Sequence, residues 1–218
     1  MNILHFTDLH GNTDGVKSIT NEIKNADLII LSGDITHFGN KKEAKQIIEP
    51  FYSLNTNILA VTGNCDHKDV IDYLNEKDIN LENKLNVNKG IELFGLGGSL
   101  NTPFNTPNEY NEQFYEEQIN KVKTKLSGIP LIIVSHQPPY NTITDKIMAV
   151  MHVGSKSLLK FIQEVKPILC LCGHIHEAIG IDKIGNTQIV NPGAWRSKNY
   201  SSITIDKNNN VDIKILKV

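Results

Sequence analysis

Seven residues that could bind a cation recur along the chain, each just after a short apolar run. Asp8 and His10 follow Asn2 to Thr7, Asp34 follows Leu-Ile-Ile-Leu-Ser-Gly, Asn64 follows Ile58 to Gly63, His136 follows Leu131 to Ser135, and His174 and His176 follow Ile168 to Gly173. An ionised carboxylate where a buried strand emerges costs several kcal/mol unless something positive sits on it. Carboxylate, imidazole and amide oxygen form a donor set for divalent Mn, Fe, Ni, Co or Zn, and there are more donors than one ion needs. Two ions about 3.5–4 Å apart need a shared ligand, for which Asp34 is the candidate; such a pair lowers the pKa of a water between them and presents it in line to a phosphate ester.

The elements that must position these residues read as a parallel α/β arrangement. Runs of four or more apolar residues suit strands buried on both faces, and the carboxyl ends of parallel strands share one edge, where such sheets bind ligands. Helices are expected at Asp14 to Asn25, Lys41 to Ser53, Lys68 to Lys77, Tyr110 to Leu126 and after Ser155, from apolar positions at helical spacing. Beyond Gly173 the pattern becomes all-strand, with hairpins around Gly185-Asn186 and an Asn-rich turn before Val211. Parallel units first and hairpins later imply two mixed sheets packed face to face with helices outside, in a single domain over residues 1–218. The polar stretch 99–111 reads either as disordered or as a lip over the crevice, and 137–153 as a second long connection.

Composition narrows the function classes. A net charge of -2 argues against a large nucleic-acid footprint, and hydrophobic content of 39% suits a soluble globular chain. No apolar run approaches a membrane span and the N-terminus lacks a signal-peptide pattern, so a cytoplasmic protein without a membrane partner is expected. Three cysteines, two of them at Cys170 and Cys172 on one strand, fit buried thiols in a reducing compartment.

Taken in order, Asp8-x-His10, Gly33-Asp34, Gly63-Asn64-x-Asp66, His136 and Gly173-His174-x-His176 resemble the five signature blocks of the calcineurin-like metallophosphoesterase superfamily. The resemblance spans nearly the whole chain. It implies an αββα sandwich, with Asp8, His10, Asp34 and His176 holding one divalent metal and Asp34, Asn64, His136 and His174 the other. It also implies a metal-dependent phosphoesterase acting on a small phosphoester, more in keeping with a phosphodiesterase than a protein phosphatase, with Mn the favoured metal and the oligomeric state open. One block departs from the pattern. Most of the superfamily has His after the Asn, credited with protonating the leaving group; here Cys65 stands there, a plausible donor at an unperturbed pKa near 8.5 or else a small filler. His67 and His152 are substitute acids. The same Gly-Asn-Cys-Asp variant is similar to small prokaryotic phosphodiesterases and to a eukaryotic sorting-complex subunit that uses the fold as a scaffold, so a metal-binding scaffold that recruits a protein without catalysis is the rival reading.

Other residues take plainer expectations. Asp66 reads as the cap of the helix starting near Lys68 in preference to a group orienting a histidine. His5 reads as packed within its strand and His37 as an exposed loop residue. Arg196, the sole arginine, lies in Asn191-Pro192-Gly193-Ala194-Trp195-Arg196, a turn expected to approach the substrate with Arg196 or Trp195.

Overall fold

The computed structural model describes residues 1–218. In chain order it runs β1 (Asn2–Phe6), α1 (Thr20–Asn25), β2 (Leu28–Ser32), α2 (Lys41–Tyr52), β3 (Ile58–Val61), α3 (Val70–Glu76), β4 (Leu85–Asn88) and β5 (Ile91–Leu96). Next come β6 (Ser99–Leu100), β7 (Glu109–Tyr110), α4 (Glu112–Lys123), β8 (Leu131–Ser135), β9 (Lys146–Ile147), β10 (Met151–His152), α5 (Lys156–Val165) and β11 (Leu169–Leu171). The chain ends with β12 (Gly180–Ile184), β13 (Thr187–Asn191), β14 (Asn199–Ile205) and β15 (Val211–Lys217).

Two sheets form the centre, one ordered β15-β14-β1-β2-β3 and the other β12-β13-β11-β8-β5-β4. Strands β1, β2 and β3 are parallel, as are β5, β8, β11 and β13, while β14-β15, β12-β13 and β4-β5 are antiparallel hairpins. Alternation along each strand divides the apolar residues among three cores. Ile3, Leu28, Ile30 and Val61 face Leu93, Ile132, Val134 and Leu171 between the sheets. Leu4, Phe6, Ile29 and Leu31 turn the other way onto Ile23, Ile48, Phe51 and Leu74 of the first three helices. Phe94, Ile133 and Cys170 turn onto Tyr115, Ile119, Leu158 and Phe161 of α4 and α5. The result is the expected helix-sheet-sheet-helix layering, and no helix is long and apolar enough to cross a membrane.

Helix starts follow local capping chemistry. Asn40 and Glu43 form a reciprocal capping box on α2, and Asn111 and Ser155 accept from Phe114 N and Leu158 N at the starts of α4 and α5. The first expected helix is instead a 3-10 turn at Val16–Ile19 followed by a short α1. The third begins at Val70 rather than Lys68, with Asp69 at its cap, so Asp66 caps nothing. Stretch 99–111 is an ordered lip: β6 pairs with β7 across it.

Candidate metal centre

The parallel strands of both sheets end at one place. After β1 the chain zips onto the loop that follows β2, with Asp8 N donating to Gly33 O at 3.0 Å, His10 N to Asp34 O at 2.8 Å and Gly11 N to Ile35 O at 3.0 Å. The loop after β11 crosses from the second sheet, and a Cβ on Gly173 would stand 1.8 Å from Thr7 Oγ1, so no other residue fits there. Asp8, His10, Asp34 and His174 all have left-handed backbone, with φ of 53, 45, 48 and 69°. For residues with a Cβ each such conformation costs about 1–3 kcal/mol and persists only where the surroundings enforce it.

Around Asp34 the donors fall into two groups. Ligand atoms of Asp8, His10, Asp34 and His176 all lie within 4.8 Å of one another. Nε2 of His10 and Nε2 of His176 are 3.1 Å apart, and the latter is 3.1 Å from Asp8 Oδ1. In the second group, His136 Nε2 lies 3.0 Å from Asn64 Oδ1 and 3.5 Å from Asp34 Oδ1, while the His174 ring stands 5.1 Å from that of His136. Asp34 spans the two, its Oδ2 being 3.6 Å from His10 Nε2 while Oδ1 faces His136.

The supporting contacts aim each donor inward. His136 donates from Nδ1 to the Ser32 carbonyl at 2.8 Å, which leaves Nε2 for the centre. Asn64 Nδ2 donates to Thr106 Oγ1 at 3.0 Å, which turns Oδ1 inward. With Nε2 of His10 turned to the centre, its Nδ1 donates to Nδ1 of His37 at 3.4 Å. His37, although exposed, is therefore a crevice residue that orients a ligand, and its spacing in the sequence gave no sign of that.

Burial and charge set the protonation. Burial disfavours charge on both Asp34 and His136, yet their mutual attraction outweighs it, holding the Asp34 carboxyl well below the carboxylate range and raising His136 from 6.5 to about 9. Burial, helped by charged His136, lowers His174 to about 4 and keeps it neutral. Two carboxylates and four imidazoles at one spot suit a positively charged occupant, and oxygen with imidazole nitrogen is the donor chemistry of divalent first-row metals. The residues fit the group the resemblance implied.

Four expectations are corrected here. Asp66 is a clamp: its carboxylate accepts from Gly63 N, Ile35 N, Thr36 N and Thr36 Oγ1 at 2.7–3.1 Å, tying the loop after β3 to the loop after β2. Burial and then Asp34 push that carboxyl up to about 6. Cys65 does line the crevice, where burial, followed by the charge of Asp34, pushes its thiol far above the ordinary range and keeps the proton on sulfur. His152 is not among the crevice residues. It pairs across the ladder with Lys146, on the opposite side of the ribbon from the crevice-lining Ile147, and its Nδ1 sits 2.6 Å from buried Asp145. Trp195 is fully buried against Phe6, so only Arg196 of its turn reaches the crevice, with Nη2 3.2 Å from His176 Nδ1. His67 is likewise not among the crevice residues, and His5 is packed, between Ser32 and Ser201.

The crevice has a volume of ≈ 560 Å³, and its mouth is formed by Phe38, Phe104, Thr106, Ile147 and Glu177. The profile of the calcineurin-like phosphoesterase family matches residues 1–178, which contain every one of these candidate ligands. The chain belongs to that family. Among relatives, an uncharacterized protein of Methanocaldococcus jannaschii is 45% identical over 200 residues, covering 88% of each chain. A probable cyclic nucleotide phosphodiesterase of Ruthia magnifica is 25% identical over 175 residues, covering 78% of this chain and 71% of that one. Among solved structures, a Thermus thermophilus protein superposes with a TM-score of 0.72 at 15% identity, over 98% of this chain and 97% of the other, which bears on the fold. This member of the calcineurin-like phosphoesterase family thus has a candidate centre for divalent metal at the shared strand edge.

Proposed function

We propose that this chain is a phosphodiester hydrolase that works with two divalent cations, Mn²⁺ being favoured, on a small or flexible substrate. The observation that carries the reading is the placement of Asp34, with one carboxylate oxygen toward His10 and the other toward His136. The cations would supply a nucleophile from water and neutralise charge on the phosphoryl oxygens. Asp8, His10 and His176 would hold one, Asn64, His136 and His174 the other, and Asp34 both.

A diester is favoured over a monoester by the charges of the crevice. Its lining carries one arginine and no lysine, and Glu177 adds a negative charge at the mouth. A monoester dianion would find little beyond the cations to hold it, whereas a diester brings a single charge. The similarity to a probable cyclic nucleotide phosphodiesterase supports the same choice. Free thiols at Cys65, Cys170 and Cys172 suit a reducing compartment such as the cytoplasm.

The test is hydrolysis of bis-p-nitrophenyl phosphate beside p-nitrophenyl phosphate with added Mn²⁺, and Asp34→Asn as the control. Metal-dependent turnover of the diester in excess of the monoester, abolished in Asp34→Asn, is expected. Absence of turnover with every divalent ion would leave the scaffold reading standing.

A further inference from the structure

Two phenylalanines stand exposed at the mouth of the crevice and are held there by unusually firm supports. Phe104 is 80% exposed and Phe38 48% exposed, and both line the crevice that contains Asp34, His10 and Asn64. A scattered exposed ring needs no explanation, but a ring fixed at a costly position over a reactive centre does.

Phe104 sits on an arch whose two feet are bound to one carboxylate. Glu109 accepts from Thr102 N and Oγ1 at 3.1 and 2.6 Å and from Thr106 N and Oγ1 at 2.8 and 2.5 Å, and Phe104 N donates to Thr102 Oγ1 at 3.1 Å. The Phe38 backbone is left-handed, at φ 58°, which is an outlier for a bulky side chain. Its loop is closed by Thr36, which accepts from Gly39 N at 3.1 Å, and by the Asp66 clamp. The Phe38 ring also packs edge-on against His37, with centroids 4.9 Å apart. Neither ring contributes to the three buried cores. Ile147 and Ile175 extend the apolar surface within the same crevice.

We propose that the alcohol of the substrate ester carries an aromatic ring, and that Phe38 and Phe104 hold this ring while the phosphate rests against the ligands around Asp34. The proposal rests on the phosphodiester reading above and names the substrate class for it. A flat ring is the matching occupant because pre-placed aromatic walls gain contact area and edge or face interactions at little entropic cost. The two rings belong to the wall of the crevice itself, so whatever they hold is joined to a group within reach of Asp34.

Calorimetric binding of methylphosphonate and phenylphosphonate to the Mn²⁺-loaded protein tests this, since neither is hydrolysed and the two differ in the ring. Phenylphosphonate is expected to bind about tenfold more tightly. In Phe38→Ala/Phe104→Ala that gap closes to less than about twofold, with methylphosphonate affinity unchanged, because both side chains lie outside the cores and the ligand set. Equal affinities in the parent protein, or a gap that survives in the double variant, would overturn the proposal and leave the hydrolase reading intact. Failure of both phosphonates to bind the loaded protein would instead remove the hydrolase reading, and this proposal with it.

Discussion

Nη2 of Arg196 donates to Nδ1 of His176 at 3.2 Å, while Nε2 of the same ring lies 3.1 Å from Asp8 Oδ1. An imidazole that accepts at Nδ1 carries its proton on Nε2 and donates it to Asp8. A neutral ring has one lone pair, so a cation at Nε2 requires the proton on Nδ1, where it faces the guanidinium. A cation held at Nε2 would therefore compete with the Arg196 contact for His176.

Arg196→Gln is accordingly expected to bind Mn²⁺ more tightly than the parent, by about two- to fivefold, as suits an exposed charge. Competition against a fluorescent chelator measures it. Weaker binding in the variant would mean that the arginine supports the centre and does not oppose it.

Removing Asp66 is expected to loosen the centre without touching a ligand. Asp66→Ala leaves the buried amides of Ile35, Thr36 and Gly63 without their acceptor, at about 1–3 kcal/mol each. Thermal melts should show a fall of many degrees, and Mn²⁺ affinity should drop with it because the amides flank Asp34 and Asn64. Asp66→Asn, which keeps an acceptor oxygen, should recover part of both.

The pH dependence of the metal-free protein follows from His136. Burial opposes its charge, but Asp34 and Asp8 outweigh burial and raise it from 6.5 to about 9. A raised histidine contributes stability that is fully present below pH 6.5 and is lost as pH climbs through 9. The denaturation midpoint should fall between these limits without metal. With excess Mn²⁺ the decline should vanish, because a cation takes the place of the His136 proton.

His152 stands away from the crevice, and the raised Cys65 thiol is a weak proton donor, so the rate should depend steeply on the leaving group. Cys65→Ser is expected to keep kcat for bis-p-nitrophenyl phosphate within about twofold, whereas loss of a true general acid would forfeit about 10²–10⁴-fold. Across a series of aryl diesters, kcat should rise as the phenol becomes more acidic. A flat series would point to an acid elsewhere in the crevice.

Much of the centre was legible because apolar runs such as Leu28 to Leu31 define strands by themselves and each ligand follows one directly. The four-layer arrangement was legible for the same reason, since parallel units followed by hairpins leave few ways to pack two sheets. What escaped depends on tertiary contact. Asp66 looked like a cap because caps are local, whereas its partners Ile35 and Thr36 are some 30 residues away. His152 looked available until the register of a two-residue ladder turned it toward Asp145. His37 sits where a loop is expected, and only the zipper between His10 and Asp34 brings it beside a ligand. The left-handed backbone of Asp8, His10, Asp34 and His174 has no sequence signature, because none of them is glycine.

The bond from Asn64 to Thr106 joins the inside of the crevice to its rim. Thr106 is one foot of the arch that carries Phe104, so the carboxamide that turns its oxygen inward and the exposed ring share one anchoring threonine. One hydroxyl thereby fastens the rim to the floor, so the position of Asn64 depends on a lip that the sequence places more than 40 residues downstream.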